Sequence, residues 1–186
     1  MRDERGITLV ELIIYAMLSV LILSIVGGML VNSLTAERIV RDSSQASNTG
    51  QLVAQSVTRG VRMASKLEVS TPTPDSVVMR ALIVDDALAS PATAHCEAWY
   101  FGNGELRTTR SPSAIPIPGS HADAEGWTLL ATGVAEVGAR PAFSVTGLSA
   151  NLALELDTGD SSPLLIETSA VSRQQAPPTE VATLCF

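Results

Sequence analysis

The longest hydrophobic segment of the chain runs from Leu12 to Val31 and contains no charged residue. A helix rises about 1.5 Å per residue, so this segment would extend about 30 Å, which matches the hydrocarbon thickness of a bilayer. It is longer than the apolar region of an ordinary signal peptide, and no small-residue cleavage site follows it. The pattern therefore predicts a membrane anchor that the mature protein retains.

A second apolar pattern continues beyond this anchor. Apolar residues recur at helical spacings and mark one face of a helix; they are Ala36, Ile39, Val40, Ala46, Val53, Val57, Val61 and Ala64. No proline occurs before Pro72, so we expect one helix from about Thr8 to Lys66. Gly50 and Gly60 weaken a helix by about 1 kcal/mol each, but small residues on a buried face also allow close packing.

The pattern changes to that of short strands after residue 70. Ser70–Asp75 contains two prolines and is predicted to be a linker. The Asn-Gly pair at residues 103–104 predicts a tight hairpin between strands at Cys96–Phe101 and Glu105–Arg110. The other predicted strands are Val77–Val84, Trp127–Val134, Leu152–Leu156 and Leu164–Val171. The predicted loops are Ser111–His121, Asp157–Ser162 and Gln175–Thr179.

Together these segments predict an α+β fold. A long N-terminal helix, transmembrane over residues 7–34 and amphipathic over residues 35–69, would pack on a domain formed by residues 70–186. That domain would contain about five to seven antiparallel strands.

Glu11 is an unusual residue at the edge of the apolar segment. A carboxylate in this position costs a few kcal/mol on insertion, so it indicates a function if a partner can be named. The apolar segment offers no lysine or arginine as that partner. A free amino terminus would supply the positive charge if the chain were cut after Gly6.

The stretch GITLVELI, which contains Glu11, resembles the class III signal of type IV pilins and pseudopilins. That signal is a short leader, a glycine, a hydrophobic residue, Thr, Leu, any residue and Glu, followed directly by a transmembrane helix. The resemblance implies that residues 1–6 are a leader, that prepilin peptidase cleaves between Gly6 and Ile7, and that Ile7 is then N-methylated. The family usually has Phe where this chain has Ile7.

The same resemblance implies how the subunit assembles. Glu11 would pair with the N-terminal ammonium of a neighbouring subunit, with Thr8 and Leu9 in the same contact. Gly27 and Gly28 interrupt the apolar segment where pilin helices often loosen in a filament. A close contact with another helix explains this glycine pair equally well.

The function implied is that of a structural minor pilin or pseudopilin in a type IV pilus-like filament, and not that of an enzyme. Its partners would be prepilin peptidase, other pilin subunits, the pilus assembly machinery, and membrane lipid before assembly. Adhesion and motility pili, type II secretion pseudopili and competence pili share this N-terminal chemistry. The alternative is a membrane-anchored binding module or enzyme that does not polymerise.

The resemblance also implies the location. It places the leader in the cytoplasm, the single anchor in the cytoplasmic membrane and the C-terminal domain outside, with the subunit in an extracellular filament after assembly. The charges do not decide the orientation, because Arg2 and Arg5 precede the anchor and Arg38 and Arg41 follow it closely.

Composition and motifs give little support to other function classes. The net charge of −7 and a single lysine, Lys66, argue against nucleic-acid binding. We find no motif for a nucleophile, a phosphate-binding loop or a dinucleotide site, and we expect no cofactor. His95 and Glu97 share one face of a strand, but metal sites usually need three or four spaced ligands.

Two further features remain open in the sequence. His121, Asp123 and Glu125 alternate in a predicted loop, where we expect a solvated surface in preference to a weak cation site. We therefore predict no metal site. Cys96 and Cys185 would form a disulfide if the domain is exported, at a gain of about 4–5 kcal/mol, and the alternative is two unpaired buried thiols.

Overall fold

The structure is a computed structural model that describes residues 8–89, 91–159 and 162–186. The predicted leader, with the cleavage site at Gly6 and Ile7, lies outside the described residues. Residues 43–186 belong to one compact unit, and the described residues 8–42 belong to another.

One long helix, α1, runs from Leu9 to Met63 and confirms the predicted N-terminal helix. It ends three residues before the expected Lys66, and strand β1 follows directly at Ala64, so the predicted boundary after residue 69 was wrong. The cause is tertiary pairing: Leu67 lies opposite Ala81 in an antiparallel ladder, which buries it. The backbone N–H of Arg173 also donates to the carbonyl of Arg62 at 3.1 Å, which satisfies one group at the helix end.

The described residues contain nine strands and one short 3₁₀ helix, where five to seven strands were predicted. The strands are β1 (Ala64–Thr73), β2 (Ser76–Asp86), β3 (Thr93–Gly102), β4 (Glu105–Ser111), β5 (Thr128–Thr132), β6 (Val134–Glu136), β7 (Phe143–Thr146), β8 (Ser149–Leu156) and β9 (Leu164–Val171). The first sheet has the antiparallel order β1-β2-β3-β4-β5. In the second sheet, β9 pairs along β8, while β7 and β6 pair with the first and last parts of β8.

The linker predicted at Ser70–Asp75 was wrong. These residues complete β1 and turn directly into β2, and the hydroxyls of Thr73 and Ser76 lie 2.6 Å apart across the turn. Pro72 is compatible with a strand here because β1 is at the edge of its sheet, where a missing backbone N–H costs no ladder bond.

The hairpin predicted between β3 and β4 is confirmed. Asn103 and Gly104 both have positive φ values, 53° and 72°, as a two-residue type I′ turn requires. Positive φ also explains why the single strand predicted at Trp127–Val134 is divided, because Gly133 at φ 67° separates β5 from β6. The short strand β7 was not predicted.

The main core lies between the later part of α1 and the two sheets. Ala46, Val53, Val57 and Val61 of the helix are buried there with large side chains of the sheets, among them Trp99 and Phe143. The α+β prediction of a long N-terminal helix packed on an antiparallel sheet domain is thereby confirmed. The predicted buried face was too long at its N-terminal end, because three of its residues are exposed: Ala36, Ile39 and Val40.

Trp99 fits against α1 at a glycine. Its ring is 1% exposed and lies so close to Gly60 that a Cβ at that position would overlap it. Its Nε1 donates to Ser56 Oγ at 3.0 Å, one helical turn before Gly60. The absence of a side chain at Gly60 therefore lets an indole ring reach a polar partner on the helix.

Cys96 and Cys185 form the predicted disulfide, with 5.6 Å between their Cα atoms. The bond lies in a second cluster with Leu82 and Ala98, on the sheet face opposite Trp99. Arg80 also helps to hold the C-terminal segment on the sheet, because its guanidinium donates to the carbonyl of Cys185 at 3.1 Å.

Candidate assembly helix

The first part of α1 presents an uncovered apolar surface. Every described residue from Thr8 to Arg41 is exposed. Among the described residues, α1 is the one helix long and apolar enough to cross a membrane, and none of its apolar window is buried within the chain. A helix that is apolar on all sides belongs in lipid or among other apolar helices.

Thr8 caps the start of this helix. The backbone N–H of Glu11 donates to Thr8 Oγ1 at 3.3 Å, and that of Leu12 donates to the Thr8 carbonyl at 3.1 Å. This is the geometry of an N-cap threonine, which satisfies a helix N–H that has no partner within the helix. Leu9 is the first helical residue and is 76% exposed.

Glu11 has a hydrogen-bond partner within its own helix. The hydroxyl of Tyr15 donates to Glu11 Oε1 at 3.1 Å, four residues further along α1. The sequence predicted a positively charged partner for Glu11, and this contact with an uncharged hydroxyl was not predicted. The spacing itself was a signal, because residues i and i+4 are neighbours on a helix surface.

Two other hydroxyl groups in this part of α1, those of Ser24 and Thr35, donate to the backbone. Ser24 donates to the carbonyl of Val20 at 2.8 Å, and Thr35 donates to that of Val31 at 3.0 Å. Such back-bonding is how serine and threonine are accommodated in apolar helices.

The glycine pair leaves α1 unbroken in the single chain. The helix is continuous through Gly27 and Gly28, and a Cβ at either position would meet nothing within 4 Å in the described part of the chain. The two alternatives for this pair, loosening in a filament and contact with another helix, both stay predictions.

The strand histidine belongs to a charged cluster with local partners. His95 Nδ1 lies 2.8 Å from Asp85 Oδ2 and 3.2 Å from Arg110 Nη2, while its Nε2 lies 3.7 Å from Glu97 Oε1. The described residues contain no group of three His, Cys, Asp or Glu side chains placed to hold a metal ion.

His121 lies beside Glu105, a neighbour that the sequence did not suggest. Its Nε2 is 3.5 Å from Glu105 Oε2, whereas Asp123 accepts the backbone N–H of Ser120 at 2.9 Å. Burial raises the pKa of the neighbouring Tyr100 above 10.0. The carboxylates of Asp123 and Glu105 raise this pKa further, whereas a hydrogen bond with Ser76 lowers it. Tyr100 and His121 thus belong to the packing that covers the outer face of the first sheet.

No family model, no curated protein and no solved structure matches the chain. The function must therefore be inferred from the exposed segment from Thr8 to Ala36 and from Glu11, the one charged side chain within it.

Proposed function

We propose that this chain is a structural subunit, a minor pilin or pseudopilin, of a type IV pilus-like filament. The observation that carries the proposal is Glu11. It is the only charged residue between Thr8 and Ala36, on a helix surface that the rest of the described chain leaves uncovered.

The exposed apolar surface suits two environments in turn. Before assembly, lipid chains cover it, and the helix satisfies its own backbone hydrogen bonds. After assembly, the same surface packs against equivalent helices of other subunits. A surface that is apolar on all sides can be covered in both states without exposing new polar groups.

Glu11 gives the second state its specificity. A carboxylate in hydrocarbon costs a few kcal/mol, and a positive charge at the same depth offsets that cost. The motif GITLVELI supports the source of this charge, since cleavage by prepilin peptidase between Gly6 and Ile7 creates a new ammonium group near the same depth. Ile7 would then be N-methylated, and its ammonium would meet Glu11 of a neighbouring subunit.

The location follows from the same scheme. The anchor crosses the cytoplasmic membrane once, and the sheet domain lies outside until the pilus assembly machinery moves the subunit into a filament. The Cys96–Cys185 disulfide supports this placement, because structural disulfides persist in oxidising compartments.

The test is substitution of Glu11 with a matched control on the same helix. We expect Glu11→Ala to enter the membrane normally and to fall at least about tenfold in incorporation into filaments, because a lost charge pair of more than about 1.4 kcal/mol has this effect. Glu37→Ala is the control. Glu37 forms only an exposed pair with Arg41 at 2.8 Å, so this variant should be incorporated normally. The measurement is the ratio of subunit in sheared filaments to subunit in membranes.

Normal incorporation of Glu11→Ala would contradict the proposal. It would favour the alternative, an anchored binding module or enzyme whose helix serves only to hold it at the membrane.

A further inference from the structure

The contact between Tyr15 and Glu11 differs from the hydrogen bonds that the Ser24 and Thr35 hydroxyls make in the exposed apolar part of α1. Ser24 and Thr35 donate their hydroxyls to backbone carbonyls one turn back. The Tyr15 hydroxyl instead donates to the carboxyl group of Glu11, at 3.1 Å. This hydroxyl therefore meets the one side chain in the segment that is costly to place in lipid.

Physical chemistry gives this contact a specific value. A carboxyl group in hydrocarbon has no water to bond, so an unpartnered oxygen there carries its full desolvation cost. Oε1 accepts the tyrosine hydroxyl whether the carboxyl group is ionised or protonated. The aromatic ring lies on the apolar helix surface, 56% exposed within the chain, so lipid can cover the ring while the hydroxyl reaches Glu11.

We propose that Tyr15 is a positioning residue that holds the Glu11 carboxyl group in the unassembled anchor and gives it up when a neighbouring subunit supplies an ammonium group. The part of this inference that concerns assembly rests on the proposed filament function. The part that concerns the unassembled anchor does not.

The exchange has a direction. The hydroxyl stabilises the state in which Glu11 has no intermolecular partner, so removal of the hydroxyl weakens the unassembled state more than the assembled one. Hydrogen bonds between side chains in membranes have modest measured strengths, which correspond to about a threefold change in an equilibrium. Tyr15→Phe should therefore raise incorporation into filaments about threefold with Glu11 unchanged.

The first experiment observes the contact directly, in the full-length chain held unassembled in phospholipid nanodiscs. The infrared difference spectrum between the wild-type chain and Glu11→Gln isolates the carboxyl band of Glu11. The same difference, recorded in a Tyr15→Phe background, should show this band at a different frequency. Ser24→Ala is the matched control, because its hydroxyl bonds a backbone carbonyl and its loss should leave the Glu11 band in place.

The outcomes separate the two proposals. An unchanged band in Tyr15→Phe overturns the positioning role, whatever happens in filaments. A shifted band together with unchanged or reduced incorporation of Tyr15→Phe overturns the exchange. A shifted band together with normal incorporation of Glu11→Ala leaves Tyr15 as the partner of Glu11 in the unassembled anchor, and defeats the filament function together with the exchange that rests on it.

Discussion

Gly60→Ala is the substitution that tests the packing of α1 on the sheet most sharply. A methyl group at Gly60 would overlap the Trp99 ring and approach Glu97 Oε2 to 2.9 Å. Trp99 is 1% exposed, so the ring has no solvent side into which it can move freely. Any shift of the ring also strains the hydrogen bond from its Nε1 to Ser56 Oγ at 3.0 Å.

Three effects set the change in the free energy of unfolding that we expect for Gly60→Ala. Overpacking of a well-filled core costs about 2 kcal/mol, and a buried indole N–H left without its partner costs about 2 kcal/mol more. Alanine in place of a helical glycine stabilises the helix by about 1 kcal/mol. We therefore expect Gly60→Ala to lower the free energy of unfolding by about 3 kcal/mol.

The assay is urea unfolding of the full chain in detergent, followed by tryptophan fluorescence, with Gly50→Ala as the matched control. Gly50 is also a buried glycine of α1, but its added Cβ would meet only side-chain carbons of Ile166 and Leu164, the nearest at 3.1 Å, and these can yield slightly. The helix-propensity gain is the same in both variants, so their difference measures the tryptophan contact. Equal stability of the two variants would refute the proposed role of Gly60.

Two further predictions concern the sheet domain. Replacing both Cys96 and Cys185 with serine should lower the free energy of unfolding by about 4 kcal/mol, because the disulfide closes a long loop. A reductant should lower wild-type stability equally and leave the double variant unchanged in urea unfolding, and a loss below about 1 kcal/mol would contradict this. Because the pKa of Tyr100 is raised, the unfolded chain loses this proton first, and stability should fall as the pH rises above about 10. Tyr100→Phe should reduce that slope in urea unfolding from about pH 8 to about pH 11, and an unchanged slope would show that Tyr100 is not its source.

Local sequence signals predicted the features that local physics controls. The charge-free segment predicted the exposed apolar part of α1, and the Asn103–Gly104 pair predicted the hairpin with its positive φ values. The disulfide also followed from the presence of only two cysteines in a domain expected outside the cytoplasm.

Features that depend on distant partners were harder to predict. The end of α1 at Met63 follows from pairing between β1 and β2, and the helical pattern itself continues past this point. Gly60 could be recognised as a small residue for close packing, but nothing local indicated that Trp99 would fill the space. At the candidate site, the sequence indicated Glu11 and not Tyr15, because the cost of a carboxylate in lipid points first to a positive charge, whereas Tyr15 is an uncharged donor one turn away.

The most direct test of the proposed function is the mass of the protein isolated from filaments. We predict a chain that begins at Ile7 and carries one methyl group on its amino nitrogen, since Glu11 needs a new ammonium group at its own depth. A polypeptide that retains Met1 through Gly6 while incorporated into fibres would contradict the account.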